Sequence, residues 1–289
     1  GVGDTERKEL RAIHNYSFYD DPARMLRLMR FKVRLGYTID ERTRLQYENA
    51  REAGMLEKLS PEALHAELLQ MANEPNSADL IQLLAEEKLI ELLSPALAGP
   101  KLNMPVFTKL QKARQMVPHG ADFHMSALPL FLNVLQEKLN AKERAALLKA
   151  AQVTKAEANN AQKLDAVAKK LEKDLKNPKL VKPSQVYSVI SKAPGEAVLF
   201  LVLHSEQRII QDRIKNYFQK YLPTAMEVTD ESVAATGVQP GTPKFAKAKE
   251  QAILTKLDAR LKKVPPPEAP PPPPPMSSFA RGPSVRHAR

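Results

Sequence analysis

Residues 20–36 hold the side chains of this chain whose types and spacing are best suited to chemistry: Asp20-Asp21-Pro22-Ala23-Arg24-Met25-Leu26-Arg27-Leu28-Met29-Arg30-Phe31-Lys32-Val33-Arg34-Leu35-Gly36. Asp21 before Pro22 predicts a helix start, because a carboxylate accepts from the free N–H groups of a first turn and proline suits that turn. Helical spacing then sets Arg24, Arg27, Arg30 and Arg34 on one face, with Asp21 at its beginning, and runs Leu26, Met29 and Val33 as an apolar stripe beside them. A row of guanidinium groups repels itself unless anions face it, and the planar fork fits phosphates well. The expected chemistry is therefore the holding of an anion; the bland alternative is a solvated basic face that opens on a capping Asp.

The elements that must position this face are helical almost throughout, since Leu, Ala, Lys and Glu dominate and strand-like alternation is scarce. The expected fold is all-α, an elongated multi-helix array. Helices are predicted over 21–36, over 43–53 with Gly54 as the stop, from Ser60-Pro61-Glu62 to about Asn73, and from Ser77 or Asp79 to Leu93. Leu10-Arg11-Ala12-Ile13 is either a strand or a helical lead-in. Beyond a turn-rich stretch, helices are expected over 128–139, 141–148, 156–175, from Ser184, over 196–204 and over 208–222. His119, Asp122 and His124 lack a second ligand pair, so they are assigned to a solvated loop rather than a metal site. Residues 265–275 are too proline-rich for a packed helix; a stiff spacer with a disordered basic tip is expected over 264–289.

With 289 residues the chain can bury a sizeable core, and its net charge of +11 points to a polyanionic partner, nucleic acid before an anionic membrane surface. The absence of cysteine excludes disulfides and thiolate metal sites and fits a cytoplasmic location. No apolar run approaches the ~20 residues of a membrane span. The chain begins with Gly1 rather than Met, so it is expected to be part of a longer protein.

The Asp20-Asp21-x-x-Arg24 segment, followed by Arg30-Phe31-Lys32-Val33-Arg34-Leu35-Gly36-Tyr37-Thr38-Ile39-Asp40, resembles a signature of the class II tRNA nucleotidyltransferases (CCA-adding enzymes) and the related bacterial poly(A) polymerases. Leu59-Ser60-Pro61-Glu62, Glu67-Leu68-Leu69 and Leu89-Ile90-Glu91-Leu92-Leu93-Ser94-Pro95 resemble the neck and body of that family, with Ala63 where many members have Arg. Gly237-Val238-Gln239-Pro240-Gly241-Thr242-Pro243-Lys244 resembles the Pro-Gly turn of its tail.

The resemblance implies specific roles. Asp21 and Arg24 would present hydrogen-bonding edges to the base of the incoming nucleotide, the one accepting from amines and the other donating to ring nitrogens and carbonyls. Arg27 and Arg30 would lie towards triphosphate or primer phosphates. Arg34 and the Gly241–Lys244 turn would contact RNA, with tRNA expected, since N–H groups at a helix start suit a phosphate. The implied organisation is the end of an upstream head over 1–16, a nucleotide-selecting neck over 17–98, and an RNA-binding body and tail over 99–263. In the family, closely spaced carboxylates in the head hold Mg²⁺ and activate the primer hydroxyl, and the complete enzyme uses ATP or CTP. No Gly-Ser followed by a carboxylate pair occurs here. The chain alone is accordingly expected to bind no metal and to be inactive. Its expected function is the RNA-binding, nucleotide-selecting part of an enzyme that adds CCA or A to tRNA 3′ ends. A poly(A) polymerase portion, a headless RNA-binding module and a helical scaffold are the alternatives.

Overall fold

The structure, a computed structural model, describes residues 2–259; the expected Pro-rich tail over 264–289 lies outside the described residues. Helix α1 (Val2–Arg7) leads into strand β1 (Glu9–Leu10), which pairs in parallel with β2 (Thr38–Ile39), Glu9 opposite Thr38 and Leu10 opposite Ile39. Between them lie α2 (Ser17–Asp20) and α3 (Ala23–Leu35). The expected strand over 10–13 is thus confined to its first residue. The ladder stops because Asp40 turns to cap α4 (Glu41–Glu52), its Oδ1 accepting from the Thr43 N–H at 3.0 Å.

Helices α5 (Pro61–Ala72) and α6 (Ser77–Glu86) pack against α3, and α7 (Met104–Gln115) packs against α6. The body continues with α8 (Ala127–Gln136), α9 (Ala141–Ala150), α10 (Lys155–Leu175), α11 (Pro183–Ser191) and α12 (Gly195–His204). It ends with α13 (Arg208–Asn216), α14 (Leu222–Met226), α15 (Asp230–Ala234) and α16 (Pro243–Ala259). The array is all-α apart from the two short strands. Helix α10 is its axle, packed on α8 and α12. It buries Ala161, Leu164, Ala168, Leu171 and Leu175 at alternating steps of three and four, and turns its lysines outward. A capping box between Thr154 and Glu157 starts it. One apolar cluster runs from Phe18 to Leu222, crossing residue 98 without a break, and a small second one joins Val228, Val233 and Phe245. Gly195 is required where α12 meets the 121–126 loop, because a Cβ there would lie 2.3 Å from the His124 carbonyl oxygen. No single helix among the described residues is long and apolar enough to cross a membrane.

One predicted helix ends early, and another changes its winding part-way. The helix expected from Ser77 to Leu93 stops at Glu86: Lys88 adopts φ +56°, Leu89 N–H returns to the Leu84 carbonyl and Lys88 N–H to that of Ala85. This is a left-handed cap satisfying the last carbonyls, after which a 3₁₀ turn carries Ile90–Leu92. The helix expected over 208–222 changes to a π turn at Tyr217–Tyr221, where Tyr217 and Phe218 are buried in an aromatic cluster with Tyr187 and Phe123.

The α6 end is held from α4. Arg44 Nη1 donates to Glu87 Oε1 at 2.7 Å, the buried Tyr47 hydroxyl donates to Oε2 at 3.0 Å, and Arg51 reaches the Glu87 carbonyl. Burial, with the Glu87 charge beside it, pushes the Tyr47 hydroxyl up to about 12. For Glu87, burial raises its carboxyl, but hydrogen bonds from Arg44 and Tyr47 outweigh that and hold it below its ordinary 4.5. A depressed carboxyl stabilises the fold fully above its unfolded value and loses that contribution as pH falls through the folded one. Melting temperature is therefore expected to drop on acidification below pH 4.5, and to drop less steeply in Glu87→Gln. Identical acid profiles for the two proteins would contradict this.

Candidate functional site

Helix α3 begins as its sequence dictates. Asp21 is extended, and its Oδ1 accepts from the Ala23 N–H at 3.1 Å; Gly36 at φ +64° ends the helix. The four arginines lie along one side, but they divide into two pairs with different surroundings.

The anions that face the lower pair belong to the protein. Arg30 Nε lies 3.6 Å from Glu67 Oε2, and both side chains are buried. Arg34 Nε donates at 2.9 Å to Glu74, whose side chain is 0 % exposed. Arg114 of α7 donates to the Ala72 and Glu74 carbonyls, closing the corner between α5 and α7. A charge this deep needs a partner, and each carboxylate has one. Glu67 was legible in the sequence only as part of a motif. Its placement among Leu64, Leu68 and Met71, all buried on one face of α5, is the signal that its partner is also buried.

Of the four arginines only Arg30 is buried; the upper pair differs from Arg34 in meeting Asp21 rather than Glu74. Asp21 Oδ2 sits 3.5 Å from Arg24 Nε and 3.6 Å from Arg27 Nη1. Arg27 is tied in turn to Glu67, its Nε and Nη2 both 3.1 Å from Oε1. Arg24 and Arg27 line a cleft of about 240 Å³ between α3 and the 11–18 segment. Its other walls are Arg11, Ile13, Phe18, Leu28, Phe31 and Thr43. Arg24 Nη1 is shielded from water and has no acceptor. Across the opening, Arg11 is held by Glu9 at 3.0 Å and Asp40 at 3.7 Å. The arrangement can present guanidinium donors in an apolar slot, with one carboxylate paired to them. Arg11, Ile13 and Thr43 were not singled out from sequence, since only the fold brings residues of two separate segments to one cleft.

Gly241 and Lys244 do not line this cleft. Gly241 takes φ +79° just before α16, and Lys244 sits in that helix's first turn. One of the helix-start donors is already satisfied, as Phe245 N–H donates to Thr242 Oγ1 at 3.2 Å. His124 Nε2 lies 2.6 Å from Asp122 Oδ1 in an exposed contact, and among the described residues no group of three His, Asp or Glu could hold a metal ion.

No protein-family model matches the chain. It is 31% identical over 109 residues to an A-adding tRNA nucleotidyltransferase of Geobacter sulfurreducens, covering 38% of this chain and 12% of that protein. It is 24% identical over 224 residues to the A-adding tRNA nucleotidyltransferase of Aquifex aeolicus, covering 76% of this chain and 26% of that one. Over part of its length the chain is thus similar to A-adding tRNA nucleotidyltransferases and to CCA-adding enzymes. It spans about a quarter or less of the length of these two curated relatives. The fold agrees: the solved structure of a tRNA-processing enzyme complex superposes with a TM-score of 0.53 at 20% identity, over 89% of this chain and 68% of that one. Arg24 and Arg27 line the cleft, Asp21 pairs with both of them, and Glu67 holds Arg27 from the other side.

Proposed function

We propose that this chain is the nucleotide-selecting and tRNA-holding part of a tRNA nucleotidyltransferase that adds CCA or A to tRNA 3′ ends. The observation that carries the reading is Arg24, which lines an apolar cleft together with Arg27 and is paired with Asp21 at 3.5 Å. Asp21 and Arg24 read the base edge, and Arg27 faces the triphosphate. Arg30 and Arg34, engaged with the buried Glu67 and Glu74, serve the site by fixing α3 on α5 and stand further from any phosphate. The neck is assigned to 17–98 and the tRNA-holding body and tail to 99–263, where Gly241 and Lys244 offer a phosphate contact. Residues 1–16 join the neck to a catalytic head.

Two-metal nucleotidyl transfer needs carboxylates brought together around Mg²⁺. Asp20 is more than half exposed and pairs with His14, so the residues described here do not fit that ion, and no step is assigned to it. The purified chain, incubated with tRNA, Mg²⁺ and labelled ATP or CTP, is expected to leave the RNA length unchanged while binding the RNA. That binding should weaken steeply between low and moderate salt, with a log–log slope approaching one per phosphate contact. Extension of the tRNA overturns the division of labour between chain and head. Affinity indifferent to salt overturns the RNA-holding role.

A further inference from the structure

Two apolar side chains at the cleft are held in the open by a framework that leaves them little freedom. Ile13 is 87% exposed and Phe31 36%. The segment carrying Ile13 is pinned on both sides: Ala12 N–H donates to Thr43 Oγ1 at 2.8 Å, and His14 N–H donates to Ser17 Oγ at 3.1 Å. Asn15 Oδ1 is further held by Arg42 and, at 3.1 Å, by Gln46. The exposure of Ile13 is thus built into the fold. Phe31 lies one turn beyond Arg27 on α3, and the guanidinium of Arg30 sits 4.9 Å from its ring centre. That guanidinium is in turn fixed by Glu67, so the ring has a rigid backing.

Exposed apolar groups that flank a small cleft call for a flat apolar ligand. At about 240 Å³ the space is too small for a partner helix, whose diameter with side chains is roughly 10–12 Å. It suits one planar ring system. The shielded Arg24 Nη1, which lacks an acceptor, supplies what such a ring would meet at its edge, a donor for a ring nitrogen or carbonyl.

We propose that Ile13 and Phe31 form a stacking slot that grips the faces of the nucleobase, while Asp21 and Arg24 read its edge. The proposal rests on the reading of the cleft as the nucleotide site and divides the work within it. Every base has a π-face, so the slot supplies affinity without preference; Asp21 and Arg24 supply preference. Aromatic stacking of a base is worth roughly a 5- to 100-fold change in affinity.

The test is equilibrium binding of ATP, CTP and inorganic triphosphate to the 289-residue chain and its Phe31→Ala, Phe31→Tyr and Ile13→Ala variants. Phe31→Ala is expected to weaken ATP and CTP by a similar factor, roughly tenfold. The ratio between the two and the affinity for inorganic triphosphate should stay unchanged. Phe31→Tyr should retain binding, and Ile13→Ala should weaken both nucleotides to a smaller extent. In the wild type, the Phe31 ring proton resonances should move on adding ATP and not on adding inorganic triphosphate, a ring-current signature that a merely structural phenylalanine lacks. Nucleotide affinity unchanged in both alanine variants, or equal losses for inorganic triphosphate, overturns the slot alone. Absence of any nucleotide binding by the folded wild type removes the slot together with the reading it rests on.

Discussion

Glu67→Ala is expected to destabilise the chain by about 3–5 kcal/mol, because it strands a buried cation. Arg30 and Glu67 are 6% and 4% exposed at their side chains, so water cannot replace the lost partner, and Arg27 loses its tether at the same time. The midpoint of denaturant unfolding should move down accordingly. A companion variant isolates the cause: Glu67→Met combined with Arg30→Met removes both charges and keeps volume, and should recover most of the loss, since apolar replacement of a whole buried pair is often close to neutral. If the double variant is as unstable as Glu67→Ala, the cost lies in packing on α5 rather than in an unpaired charge.

Arg24→Lys is expected to leave fold and RNA binding nearly intact and to relax the choice between nucleotides. An ammonium keeps the positive charge but cannot offer two parallel donors to a base edge. Losing one such contact corresponds to about 1–3 kcal/mol of discrimination, or roughly 5- to 100-fold between favoured and disfavoured bases. Asp21→Ala should relax the same choice and also cost roughly 1 kcal/mol of stability, as the Ala23 N–H loses its acceptor. Binding of the four nucleoside triphosphates to wild type and variants under matched conditions measures both. Unchanged preference in Arg24→Lys returns this face of α3 to an ordinary basic surface.

These two variants touch the same row of arginines at positions that the sequence does not distinguish. Helical spacing alone sets Arg24, Arg27, Arg30 and Arg34 along one side of α3. Their buried partners lie about forty residues away: Glu67 is shared by Arg27 and Arg30, and Glu74 takes Arg34. Local spacing reports the direction a side chain takes from its own helix; it carries no information about which helix packs opposite. The cleft has the same origin, since Thr43 and the 11–18 segment reach α3 only once β1 and β2 pair.

What was legible from the residues themselves is what short-range physics controls. Asp21-Pro22 and Gly36 bound α3, Ser60-Pro61 starts α5, and the alternating spacing of Ala161, Leu164, Ala168, Leu171 and Leu175 predicts the buried edge of α10. The all-α class and the motif around Asp21 and Arg24 follow from the same local signals. The end of α6 was not legible: leucines continue to Leu93, and the pattern is consistent with a helix throughout. It ends at Glu86 because Lys88 turns left-handed and α4 holds Glu87 through Arg44, Tyr47 and Arg51. The residue types determined which helices form and which side carries charge. Only the tertiary structure decided which of those charges meet a buried carboxylate and which do not, because that depends on groups far apart in the chain meeting where water is excluded.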